Sequence, residues 1–93
     1  MFKIRDALLL KDVNLKVDGL DVCLRRPSAL DMVSAVQAAK DMGDDFAAWL
    51  VLNHLKEDGV PVFTTIDEVK ACDGLLVFAI ADEVQKLYGE GGN

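Results

Sequence analysis

This sequence of 93 residues has little with which to build a catalytic or metal site: one histidine, two cysteines, one tryptophan, one tyrosine and two prolines. Cys23 and Cys72 lie far apart with no C-x-x-C pair, which points to neither a zinc site nor a disulfide framework. Both are expected to be small buried hydrophobes. His54 has no nucleophile beside it with an activating signature, and Ser28 and Ser34 read as a helix cap and a helix surface. We therefore expect a helix histidine with a polar partner or a solvated edge, no catalytic residue, no cofactor, no metal and no enzymatic activity. Long apolar runs are also missing. The run at residues 7–10 is too short for a signal-peptide core and far short of a membrane span, so a reducing, cytoplasmic location is expected. Basic residues are scarce, ten Lys and Arg against sixteen Asp and Glu, for a formal net charge of −6. Without a basic stripe or interleaved aromatics a chain cannot displace counterions from a phosphate backbone, so nucleic acid is not an expected partner.

What is present is apolar: 52% of the residues are hydrophobic and 28% charged, a globular composition with hydrophobic surface to spare. The length suits one domain, read here as residues 1–88, followed by a flexible Gly-rich tail, "GEGGN", at 89–93. Charge is uneven along the chain. Residues 1–26 carry six Lys or Arg and four Asp, a net +2, whereas residues 27–93 carry four Lys and twelve Asp or Glu, a net −8. Such an asymmetry can assist self-association or a basic protein partner.

The clearest local signal is "VNLKVDGLDVCLRR". Val13, Leu15 and Val17 alternate with polar residues, Asp18-Gly19 suits a two-residue turn, and Leu20, Val22 and Leu24 resume the alternation. Pairing Val17 with Leu20 sets Leu15 opposite Val22 and Val13 opposite Leu24, so all six share one face. Ahead of the hairpin, "FKIRDALLL" predicts a short amphipathic helix. After it, Ser28 with Asp31 forms a capping box for a helix that Gly43 stops, with Ala29, Met32, Val33, Val36 and Ala39 as its apolar stripe. Asp44 or Asp45 should cap "FAAWLVLNHLK", a helix apolar all round and so central, with Trp49 and Leu52 in the core. The pattern predicts a mainly α protein with a small N-terminal β-hairpin (α+β), about four to five helices packed around a central helix at 46–56.

The stretch "KEDGVPVFTTIDEV" concentrates acids, threonines, a glycine and a proline. As a calcium loop centred on Gly59 it would place His54, Lys56 and Thr65 where carboxylates are required, which excludes that reading. Instead Glu57-Asp58-Gly59 ends the central helix, Pro61 prevents its continuation, Thr65 with Glu68 caps the next helix, and Val60, Val62 and Phe63 should anchor the crossing to the core. That short helix presents Ile66, Val69 and Cys72 on one side. Asp73 then caps the last helix, whose core face is Leu76, Val77, Ile80, Val84, Leu87 and Tyr88. Leu75 and Phe78 fall off that face; coverage by the N-terminal segment is the favoured expectation, a partner surface the other. The candidate surface for self-association or partner binding is therefore Ile4, Leu8 and Leu9 with Leu75 and Phe78.

Taken in order, "IRDALL", the basic end of the hairpin "VCLRRPS", the helix "AAWLVLNHLKEDG", the joint "DGVPVFTTIDEV" and the closing helix "LLVFAIADEVQKLYG" resemble a tail assembly chaperone of long-tailed bacteriophages, the lambda-type G protein class. The resemblance covers nearly the whole chain but rests on ordinary residues rather than catalytic motifs. It implies a nonstructural, mostly helical protein of the host cell cytoplasm that binds the tape measure protein, helps recruit tail tube subunits, and occurs in some relatives also as a longer product of ribosomal frameshifting. A homo-oligomer is compatible with it. The alternative is a small acidic regulatory binding module, antitoxin-like or an anti-repressor, that occupies a basic partner.

Overall fold

The structure, a computed structural model, describes residues 3–89. It is α+β and mainly helical, in the order α1 (Lys3–Leu8), β1 (Asp12–Val17), β2 (Leu20–Arg25), α2 (Ala29–Met42), α3 (Phe46–His54), β3 (Leu55–Glu57), β4 (Val60–Pro61), α4 (Ile66–Lys70) and α5 (Gly74–Leu87). The expected tail lies almost wholly outside the described residues, of which Gly89 is the last.

β1 and β2 pair antiparallel in the register that alternation predicts: Val13 with Leu24, Leu15 with Val22, Val17 with Leu20. The turn works because Asp18 and Gly19 both take positive φ, 51° and 82°, which matches the twist of the strands. Val17, Val22 and Leu24 enter the core; Leu20, at the tip, stays exposed.

A second hairpin was not expected. The central helix stops at His54, two residues early, and Leu55–Glu57 turns through Asp58-Gly59 into Val60–Pro61. The turn repeats the first almost angle for angle, with φ of 53° and 82°. β3 pairs with β2 at Cys23–Lys56 and Leu24–Leu55, making a four-stranded sheet in the order β1-β2-β3-β4. Pro61 is tolerated because it sits on the edge strand.

α3 is central, packing against α2, α4, α5 and β2. Leu50, Val51 and His54 are its fully buried side chains, while Trp49 and Leu52 pack only partly buried against the core. From α5 come Ile80, Ala81 and Val84, and from α4 Val69. The capping boxes Ser28/Asp31 and Thr65/Glu68 and the Asp73 cap all form. The start of α3 departs from expectation: neither Asp44 nor Asp45 caps it, since the Asp45 side chain makes no cap hydrogen bond and pairs with Lys70 at 3.1 Å instead.

Three further expectations are corrected. Cys23 is half-buried and Cys72 exposed, with its Sγ donating to the Glu68 carbonyl, so neither is a core residue. Of the three apolar residues in the crossing only Phe63 packs on the core; Val60, on β4, and Val62, just after it, are exposed because they run along the sheet edge. The third concerns α2, whose apolar stripe faces away from the body.

Candidate protein-binding surfaces

The fully buried imidazole of His54 is the natural first place to look for chemistry. Its Nδ1 lies 2.7 Å from the Arg25 carbonyl and its Nε2 2.6 Å from the Tyr88 hydroxyl. A carbonyl can only accept, so Nδ1 carries the proton and donates, and Nε2 accepts from the Tyr88 O–H. Both nitrogens are thereby taken, and neither touches a thiol. Burial favours the neutral ring and lowers the pKa of His54; burial likewise pushes the Tyr88 hydroxyl up to about 12. Partial burial, aided by Asp12, raises the Cys23 thiol, which disfavours a thiolate. Among the described residues no group of three or more His, Cys, Asp or Glu is arranged to hold a metal ion. His54 acts as a clasp joining the ends of β2, α3 and α5.

Beside the clasp sits the device that orients α2. The Arg25 guanidinium donates twice to the Asn53 carbonyl, at 3.2 and 2.9 Å, and once to Asp31 at 2.6 Å. Burial alone would raise the Asp31 carboxyl, but hydrogen bonds from Arg25 and from the Ser28 amide outweigh it and hold it below its ordinary value. With Asp31 drawn toward α3, helical spacing decides the rest. Ser34, Ala35, Ala38 and Met42 follow Asp31 at intervals of three, four, seven and eleven and face the body; Ala38 is buried and the others partly so.

The side of α2 opposite these small residues carries the apolar stripe predicted as a core face. Val33 is 71% exposed, Met32, Val36, Ala29 and Ala39 are exposed with it, and Leu30, which was not part of the predicted stripe, is 74% exposed. The correction has a physical cause: an ion pair, three small side chains and Met42 set the rotation of this helix, and bulky hydrophobes on the far side have nothing of the body to meet. Sequence reasoning missed this surface because it assigned the larger apolar residues to the core. Asp31 was the available signal, since a capping carboxylate followed by small residues at helical spacing marks the close-approach face.

The residues singled out from the sequence fall into two separate groups. Ile4, Leu8 and Leu9 lie on or just after α1, which buries no residue and packs extensively on no other element; Ile4 is 79% exposed. Leu75 and Phe78 project from the first turns of α5, Leu75 at 85% exposure. The structure does not bring the groups together, so the expectation that the N-terminal segment covers Leu75 and Phe78 is overturned within one chain. Phe78 instead forms a wall of a cleft of about 180 Å³, with Val77, Ala47, Ala48 and Val69 as further lining and Asp44 and Asp45 at its edge. No helix among the described residues is long and apolar enough to cross a membrane. Comparison with models of protein families, with curated proteins and with solved structures finds no match.

Proposed function

We propose that this protein is a nonstructural chaperone of bacteriophage tail assembly, which binds the tape measure protein and helps recruit tail tube subunits in the host cell cytoplasm. The observation that carries a binding role is the outward apolar stripe of α2. A four-turn helix held by its small residues, with Leu30, Met32, Val33 and Val36 in solvent, is suited to receive an amphipathic or apolar helix along its length. The stripe stays soluble because its own molecule is acidic, and because α2 is fixed by its N-terminal cap and the Arg25–Asp31 pair rather than by burying those residues. The tape measure as the specific partner rests on the resemblance of the sequence to tail chaperones.

Co-expression with a tape measure protein tests the reading. The chain should keep that protein in the soluble fraction and co-purify with it, and Val33→Asp with Val36→Asp should abolish both without loss of helical content. Unchanged solubility of the tape measure and no co-purification would refute it.

A further inference from the structure

We propose that the protein forms a two-fold dimer through the outer edge of β1, which pairs antiparallel with β1 of a second copy and joins the two sheets into one. The sheet has unlike edges. β4 is two residues long and carries Pro61, which blunts it against further pairing, whereas β1 runs for six residues with neither proline nor glycine.

The turn fixes which backbone groups of β1 are engaged. Across a two-residue turn the flanking pair is hydrogen-bonded, here Val17 with Leu20, and bonded pairs then alternate, so Leu15 and Val13 also bond to β2. Asp12, Asn14 and Lys16 direct their N–H and C=O groups the other way. Among the described residues no other backbone group bonds to theirs, and all three residues are exposed.

This edge is complementary to itself. Opposite residues of an antiparallel pair share a face, so a two-fold axis must pass through a residue rather than between two. Placed at Asn14, it sets Asp12 of each copy against Lys16 of the other and Val13 against Leu15, with about six backbone bonds made at Asp12, Asn14 and Lys16. Each such contact extends a run of alternating charge, because Asp12 already pairs with Lys56 of its own chain at 3.1 Å and Lys16 with Asp21 at 2.8 Å. On the other face Lys11 falls opposite Val17, which lines a groove of about 900 Å³ together with Asp82 and Glu83 of α5. Moving the axis one residue on, to Leu15, keeps the faces but sets Asp12 against Asp18. Charged residues ordinarily keep an edge strand from pairing; in the Asn14 register they favour it.

Cysteine cross-linking of the full chain tests this, independently of any tail protein. Asn14 of one copy should lie about 5.5 Å at Cα from Asn14 of the other, a separation that a disulfide spans. Cys23 sits opposite Asn14 on β2 and would compete, so every variant also carries Cys23→Ser and Cys72→Ser. Under mild oxidation Asn14→Cys should give a linked dimer of twice the 10.1 kDa chain mass. Asp12→Cys, displaced from its mate by about 13 Å, should stay single. Adding Lys16→Asp to Asn14→Cys should slow linking about tenfold, and adding Asp12→Lys as well should restore it. That swap recreates opposite charges across the seam while placing like charges in both ion pairs within the chain, so a merely structural effect would worsen rather than recover. Circular dichroism establishes that the variants are folded; should the swapped chain unfold, Asp12→Cys mixed with Lys16→Cys takes its place and should link. No link at Asn14, equal linking at Asp12, or a folded swap without recovery would overturn the proposal.

Discussion

His54 joins three points of the chain that are distant in sequence, so its protonation is coupled to folding. Burial lowers its pKa below the ordinary 6.5, which means the unfolded chain takes up the proton first as pH falls. Its stability contribution is complete above that value, declines as pH drops through it, and reaches its floor once the folded form is protonated too. Asp31 adds a second loss further down: its carboxyl sits below 3.8 in the fold, so its contribution is present above that value and disappears as pH falls through the folded pKa. Urea midpoints measured from neutral pH downwards should therefore fall in two stages, and His54→Gln should flatten the first. His54→Ala leaves the Arg25 carbonyl and the Tyr88 hydroxyl without their partner and should cost about 3 kcal/mol in the same assay. Tyr88→Phe, which removes one hydrogen bond of the pair, should cost about 1–2 kcal/mol.

Between elements, what could be read from the sequence divides by range. The β1–β2 register, the two capping boxes and the Asp73 cap follow from residues within a few positions of one another, and the structure has them all. The rotation of α2 depends on Arg25 reaching Asn53, 28 residues away, and no periodicity within the helix contains that information. The second hairpin was hidden differently: Asp58-Gly59 is the same turn signal as Asp18-Gly19, but a helix runs up to it and Pro61 follows, so it reads as a helix stop. Leu75 and Phe78 were identifiable as misfits to the amphipathic pattern of α5, and Ile4 and Leu8 as the apolar face of a short terminal helix that Leu9 spoils, whereas the α2 stripe looked like core. The two sides of α2 should respond oppositely to substitution. Val33→Ser with Val36→Ser should change the unfolding free energy by less than about 0.5 kcal/mol, and Arg25→Met, which strands the Asn53 carbonyl and leaves Asp31 with the Ser28 amide alone, should cost about 2 kcal/mol. Thr65→Ala should cost about 1 kcal/mol through the lost cap of α4, a difference that thermal melts can resolve.

As a whole the molecule is drawn out, 46 × 30 × 27 Å with a Cα radius of gyration of 13.6 Å, where a compact chain of this length averages about 12 Å. Its hydrophobic surplus lies outside, on α1, α2 and the start of α5. The folded protein should consequently enhance the fluorescence of an apolar dye near neutral pH while keeping the near-ultraviolet dichroism of a fixed Trp49, a combination that separates exposed native surface from a loosened core. Loss of that enhancement on adding a partner would report which faces are covered. The twin Asp-Gly hairpins bear on how such a molecule assembles. Each is a local structure able to form within microseconds, but the sheet is whole only when β2 meets β3 across a two-residue seam, Cys23–Lys56 and Leu24–Leu55, which closes a loop of roughly 30 residues containing α2 and α3. Closing that seam, with the His54 clasp directly beside it, is the entropically expensive event, so Leu24→Ala should slow refolding while Gly59→Ala chiefly accelerates unfolding. The order of events then places the outward face of α2 in solvent from the moment the seam closes, before any other copy or partner has arrived to cover it.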